Sequence, residues 1–219
     1  MKIKVLKNVM LKNNALGADN RWEFKKNSVF VLNMTSSPGA GKTTLIKNSL
    51  AEFTDKYKMA IIEGDLYTSR DAEQFTDFDI PIYQINTEGG CHLDAKMIHA
   101  AIDDLDLNDL DFILIENVGN LVCPAAFDLG ADRMVLVYSI TEGEDKPKKY
   151  ATMFEKADIV VINKMDIAPH LNIDVDKVES EIKEVNPGCK VLRLSADKPE
   201  TLKEWYEWVR KEIESKSKE

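Results

Sequence analysis

The stretch N33-M-T-S-S-P-G-A-G-K-T-T44 brings two glycines, a lysine and two threonines together at a spacing suited to cupping phosphate. In the turn Pro38-Gly39-Ala40-Gly41, the glycines let backbone amides approach an anion. Lys42 can set its cation near the β and γ phosphates, Thr43 can ligate Mg²⁺, and Thr44 can contact the α phosphate. Ser36 stands where the strict pattern carries its first glycine. Hydrolysis needs carboxylates as well, and E63-G-D65 and Asp71 offer them. Asp65 or Asp71 could reach magnesium directly or through water and organise an attacking water, with Asp65 better placed by position. For Asp71, an ordinary charge at a helix N-terminus is an equal alternative. Lys42, Asp65 and Asp71 are therefore the candidate catalytic residues. N163-K-M-D166 supplies a base reader. Asp166 can accept paired hydrogen bonds from guanine N1 and its exocyclic amine, Asn163 can bond to the ring edge, and Lys164 can pack its stem over the ring. Ser195 and Ala196 could add backbone contacts to the guanine carbonyl, so GTP is the expected nucleotide.

A second chemistry is carried by Cys91, His92 and Cys123. Two thiolates and an imidazole suit Zn²⁺ or a transiently carried Ni²⁺, yet leave a tetrahedron incomplete, so water, a partner or a second copy must supply the rest. If Cys91 lies at a helix start, exposed amides and the helix dipole favour its thiolate. The bland alternative is two cysteines in apolar sites and an unrelated histidine. Cys123 follows E116-N-V-G119 closely, and in a phosphate-binding α/β fold that segment is the expected γ-phosphate sensor. Glu116 could contact magnesium through water, and Gly119 could permit the backbone change. His99 would sit about two turns, roughly 10 Å, from His92 along a helix, too far for the same ion. His170 reads as a surface residue, and Cys189 as an ordinary turn or core cysteine.

These groups need a scaffold, and apolar runs supply one. Strands are expected at Ser28–Met34, Lys58–Ile62, Ile80–Ile85, Phe112–Ile115, Arg133–Tyr138, Ile159–Ile162 and Val191–Leu194, several with little polar alternation, as in strands buried on both faces. Helical stripes at Lys42–Phe53, Leu93–Leu105 and Val175–Val185 fall between them. The alternation predicts an α/β fold with a mostly parallel sheet sandwiched between helices. Leu202, Trp205, Val209 and Ile213 mark a closing helix over Thr201–Glu214, with one of Trp205 and Trp208 facing the core and the other at its margin. Val5–Leu11 could be a short helix or strand, and Ala15–Phe24 a helical stripe. Residues 1–27 are expected as an N-terminal extension on or near a single domain spanning 1–219. With 44% hydrophobic and 31% charged residues and a formal charge of -9, the chain reads as soluble and poorly suited to nonspecific nucleic-acid binding. The absence of a secretory leader or a membrane-length apolar run points to the cytoplasm, without membrane insertion.

Taken together, S36-S-P-G-A-G-K-T-T44, E63-G-D65, C91-H-L93, E116-N-V-G-N-L-V-C-P124 and N163-K-M-D166 closely resemble the HypB family of hydrogenase nickel-incorporation GTPases. The resemblance runs from Asn13 and Arg21 to the Trp205–Trp208 segment. It implies a P-loop NTPase fold of the signal-recognition and metallochaperone GTPase type, with a homodimer favoured by GTP. By similarity, Lys42 and Thr43 match the phosphate and magnesium residues, Asp65 or Asp71 the switch carboxylates, Glu116 the next magnesium-side position, and Asn163 and Asp166 the guanine readers. Cys91, His92 and Cys123 match a zinc or nickel site at the dimer interface. The implied partners are a HypA-type nickel metallochaperone and the large-subunit precursor of nickel-iron hydrogenase. The N-terminal cysteine motif and histidine-rich stretch of some members do not occur in this sequence, and S195-A-D-K-P-E-T201 departs from the usual base-side loop after its Ser-Ala. Two other readings are a non-hydrolytic GTP- and metal-binding module and a urease-type nickel accessory GTPase.

Overall fold

Seven strands, β1 (Phe30–Ser36), β2 (Met59–Asp65), β3 (Ile82–Asn86), β4 (Phe112–Glu116), β5 (Arg133–Ser139), β6 (Ile159–Asn163) and β7 (Lys190–Arg193), form one sheet in the order β3-β2-β4-β1-β5-β6-β7. Every pairing is parallel. The computed structural model describes residues 9–65 and 74–216, and Asp71 lies outside them. The helices are α1 (Val9–Lys26), α2 (Lys42–Phe53), α3 (Ala95–Asp103), α4 (Lys146–Lys149), α5 (Ala151–Lys156), α6 (Val175–Val185) and α7 (Lys203–Lys216).

Side chains alternate across a pleated strand, so each buried strand feeds two cores. Phe30, Leu32 and Met34 of β1 join Leu45 and Phe53 of α2 and Trp205 and Val209 of α7 on one face. Val31, Ala60 and Ile113 on the other face pack with Phe24 of α1 and Ile98 of α3. Leu136 and Tyr138 extend that second face to Phe154 of α5 and Ile182 of α6. Each Ile, Val or Leu removed from water in this way contributes roughly 1.5–3 kcal/mol. Trp205 is fully buried and its Nε1 donates to Ser49 Oγ at 2.8 Å, while Trp208 packs at the core margin, as the closing helix predicted. Cys189 is a buried core cysteine.

The strand ends differ from the sequence expectation in an instructive way. β2 continues beyond Ile62 through Glu63 to Asp65, β4 takes in Glu116, and β6 takes in Asn163. Backbone pairing runs past the last apolar residue, because these polar side chains are buried at the strand tips. β1 begins at Phe30 and reaches Ser36, two residues later at each end than the apolar run. The connections leaving β1 and β4 cross in opposite directions, so a crevice opens between their carboxyl ends, the usual ligand position in open α/β sheets. Among the described residues, no helix is long and apolar enough to cross a membrane.

Candidate functional site

The turn between β1 and α2 is shaped by backbone conformation. Gly39 (φ 73) and Gly41 (φ 94) occupy the left-handed region, which favours glycine. Ser36, by contrast, is the last residue of β1 and needs no such freedom, which explains why serine can replace the pattern's first glycine. Gly41 leads into α2 without a side-chain cap or an acidic residue in the first turn, leaving the helix's free amides open to an anion. A cleft of about 580 Å³ is lined by Ser36 through Thr44, by Glu63, Gly64 and Asp65 from β2, by Asn117, Val118 and Gly119 after β4, and by Lys164.

Lys42 Nζ is ion-paired to Glu116 Oε1, and the Thr43 hydroxyl donates to the same oxygen at 2.8 Å. Glu116 Oε2 is buried with no hydrogen-bond partner. A carboxylate with one oxygen unused, next to a threonine hydroxyl and with Asp65 lining the same cleft, fits a hard divalent cation such as Mg²⁺. The P-loop is also tied sideways. Ser37 Oγ donates to Glu142, whose carboxylate accepts from Ser139 N at the end of β5. No sequence reading assigned Glu142 a role, and its only signal is an acidic residue in the turn after a buried strand.

A smaller cavity of about 270 Å³ adjoins Gly41 and Thr44 and is lined by Asn163, Lys164, Asp166, Ile167, Ala196 and Asp197. Ser195 Oγ donates to Asp166 Oδ1 at 2.7 Å and accepts from Asp166 N at 2.8 Å, fixing the carboxylate at the cavity's edge. Lys164 Nζ donates to Gly39 O at 2.7 Å, and its backbone is left-handed (φ 63). Asn163 also has a structural role that the sequence did not announce. Its Nδ2 donates to Ala40 O at 2.7 Å and its Oδ1 accepts from Ala196 N at 2.8 Å, with the side chain buried. Asn163 thereby brackets the P-loop to the Ser195-Ala196 loop, with its second N–H and second lone pair still to spare beside the cavity that it lines.

Cys91, His92 and Cys123 form a second cluster, with ligand atoms all within 4.8 Å of one another. The two sulfurs lie 2.6 Å apart and Cys91 Sγ lies 3.6 Å from His92 Nδ1. Cys91 does not sit at a helix start. Asp94 caps α3 by accepting from Met97 N, and α3 begins at Ala95, so the thiol precedes the helix terminus. Its pKa is instead raised, first by the hydrogen bond to Cys123 and then by burial. Burial lowers the pKa of His92 and keeps its ring neutral, the form that ligates metals. That ring stacks on Phe127 at 3.7 Å between centroids, pinning one ligand-bearing segment against the other. His99 is not part of the cluster, and its Nδ1 meets Asn20 Oδ1 at 2.9 Å.

The residues between Glu116 and Cys123 join the two sites. Gly119 lies beside the P-loop, where an added Cβ would come into ordinary van der Waals contact with Pro38 Cα, at 3.4 Å. Asn120 O accepts from Thr35 Oγ1 at 3.3 Å, and Asn120 Nδ2 donates to Cys91 O at 3.3 Å. Asn117 Oδ1 accepts from Leu93 N at 3.1 Å and from Val118 N at 2.9 Å. Neither asparagine was assigned a role from the sequence; the available signal was two amides among apolar residues directly after a buried strand.

Comparison with known proteins finds relatives across nearly the whole chain. Residues 30–193 match the family described as CobW/HypB/UreG, nucleotide-binding domain. The hydrogenase maturation factor HypB of Escherichia coli (strain K12) is 47% identical over 201 residues, covering 92% of this chain and 69% of that protein. The crystal structure of HypB from Helicobacter pylori in complex with nickel superposes with a TM-score of 0.87 at 38% identity, covering 93% of this chain and 96% of that one. The signal recognition particle receptor FtsY from Elizabethkingia anophelis shares only the fold, with a TM-score of 0.54 at 16% identity over 84% of this chain and 67% of that one.

Proposed function

Because the chain belongs to the CobW/HypB/UreG family, and within it to the HypB hydrogenase maturation factors, we infer that it is a GTPase whose nucleotide state governs its grip on a nickel ion destined for nickel-iron hydrogenase. The observation that carries this reading is the continuous segment from Glu116 to Cys123. It bonds to Lys42 and Thr43 at one end, lines the same cleft as Pro38, and bears a thiol of the cysteine cluster at the other.

In this reading the turn from Pro38 to Thr44 and Lys42 neutralise the triphosphate, Lys42 exchanging its bond to Glu116 for one to phosphate. Thr43, Glu116 and Asp65 would hold Mg²⁺, which supplies positive charge to the reacting phosphoryl group. Asp65 positions the attacking water, and Asp71 is the other candidate for that role. Asp166, held by Ser195, accepts from guanine; Lys164 covers the ring, Ala196 offers a backbone contact, and Asn163 keeps the base loop registered to the P-loop while its spare amide capacity serves the ring edge. Cys91, His92 and Cys123 hold nickel, with zinc an alternative occupant, and a second copy of the chain would complete the coordination in a GTP-favoured homodimer. A HypA-type metallochaperone and the hydrogenase large-subunit precursor are the proposed partners in the cytoplasm. We read 1–219 as a single domain, with 1–27 its N-terminal extension.

Single-turnover phosphate release on purified protein with Mg²⁺ and nickel tests the enzyme assignment. Release from GTP should exceed the buffer rate, with little from ATP. Preference for ATP overturns the guanine assignment, and release at the buffer rate despite bound GTP leaves a non-hydrolytic binding module.

A further inference from the structure

We propose that Asn13 and Asn20 of α1 are positioning residues that hold the two ligand-bearing arms, one running from Cys91 into α3 and one from Cys123 to Gly130, at the spacing where they share a metal ion. The inference rests on the reading of Cys91, His92 and Cys123 as the nickel site. It starts from an oddity of α1: the face it turns inward carries two amides and a glycine besides Phe24.

Asn13 and Asn20 are seven residues apart, close to two helical turns, so they point the same way. Both are buried. Asn13 Oδ1 accepts from Ala95 N at 2.8 Å on the first arm, and Asn13 Nδ2 donates to Asp128 O at 2.9 Å on the second. Asn20 repeats the pattern: its Nδ2 donates to Ala95 O at 2.9 Å and to Leu129 O at 3.2 Å. Its Oδ1 faces His99 Nδ1 on α3. Each amide therefore spans both arms, and Ala95 is gripped through its N–H by one and its carbonyl by the other.

Gly17, between them on the same face, lets the helix approach this closely. An added Cβ there would meet Asp128 O at 2.7 Å. Gly130 (φ +89) makes the reciprocal approach, since its added Cβ would meet Gly17 O at 2.6 Å. The exposed Arg21–Asp128 ion pair, 2.7 Å, closes the outer edge. The clamp grips backbone only four residues past Cys91 and five past Cys123. Between its jaws, His92 stacks on Phe127, the neighbour of Asp128. Buried amides whose polar groups are committed to two separate chain segments hold those segments in one relative position, because parting either leaves a donor or acceptor unpaired.

The experiment uses the full chain carrying Cys189→Ala, so that only Cys91 and Cys123 remain as thiols. Dibromobimane, which fluoresces on bridging two nearby thiols, reports arm spacing without metal. The thiolate-to-nickel charge-transfer band reports nickel affinity, and binding of a fluorescent GDP analogue reports the fold and the nucleotide end. Asn13→Ala and Asn20→Ala should each slow bridging and weaken nickel binding about tenfold, as loss of groups that orient metal ligands does, with GDP affinity held within about twofold. Wild-type bridging and nickel affinity in both variants, with GDP binding intact, would overturn the proposal. If Asn13→Ala fails to fold, Asn13→Asp keeps the size and the acceptor for Ala95 N but sets a carboxylate against Asp128 O. It should slow bridging likewise, and unchanged bridging overturns the clamp. Absence of nickel binding in the parent protein would instead defeat the nickel reading, while the bridging rates still judge the clamp.

Discussion

At the nucleotide end the polar groups come from strand tips and their immediate loops, and they secure one another. Asn163 joins Ala40 to Ala196, Ser195 fixes Asp166, Lys164 reaches Gly39, and Glu116 takes both Lys42 and Thr43. At the cysteine end, Cys91, His92 and Cys123 sit on segments outside the strands. Their relative position depends on the bond from Asn120 to Cys91 O and on bonds to α1, which is remote in sequence. The contrast is between a cleft built into the sheet and a pair of arms laid against it. The first suits a site that must bind one ligand in one geometry, the second a site whose geometry is set from outside and can be tuned through the contacts that hold it.

Substitutions can break or sharpen that contrast. The largest effect is expected for Lys42→Ala, which removes a preorganised charge from the cleft and should lower single-turnover phosphate release about 1000-fold. Cys91→Ser or Cys123→Ser should cost nickel affinity about 100-fold or more while shifting GDP affinity less than about twofold, so that the ends separate cleanly in titration. Asp166→Ala should weaken GDP by about 100-fold, since guanine donors would lose a charged acceptor, and leave the metal-free cysteine geometry unchanged. The third cysteine supplies the smallest effect and a control. Burial pushes the Cys189 thiol up to about 11. A thiol whose folded pKa is raised stabilises the fold fully below the unfolded value and loses that contribution as pH climbs through the folded one. Between pH values of about 9 and 11 the unfolding free energy should therefore fall about 2 kcal/mol more than in Cys189→Ala, measured by urea titration.

The sequence made the nucleotide end readable because its chemistry lies in short contiguous runs, each following a strand of Val and Ile. Gly39, Gly41 and Lys42, or Lys164 and Asp166, declare themselves without tertiary knowledge. Apolar runs misjudged the strand ends for a physical reason: Glu63, Glu116 and Asn163 are polar yet buried, and backbone pairing does not stop at the last hydrophobic residue. For Asn163 the sequence shows a base-side residue but not its bracing role, because nothing local reveals that Ala40 and Ala196, 123 and 33 residues away, each take one end of its amide. At the cysteine end the sequence shows the three clustered residues but not what supports them. Cys91 looked like a helix-start residue until Asp94 proved to be the cap. In α1 the inward face is carried partly by Asn13, Gly17 and Asn20, so the apolar periodicity that normally marks a packing helix is weak.

The central claim is that the segment from Glu116 to Cys123 couples the two ends. Its most direct test is nickel affinity, followed by the thiolate-to-nickel band, in nucleotide-free protein, with Mg²⁺-GDP and with a Mg²⁺-bound nonhydrolysable GTP analogue. The account predicts at least a roughly fivefold difference between the GDP and GTP-analogue states, the lower end of typical coupling between sites. Equal affinity in all three states, with nucleotide binding verified in the same samples, would contradict it.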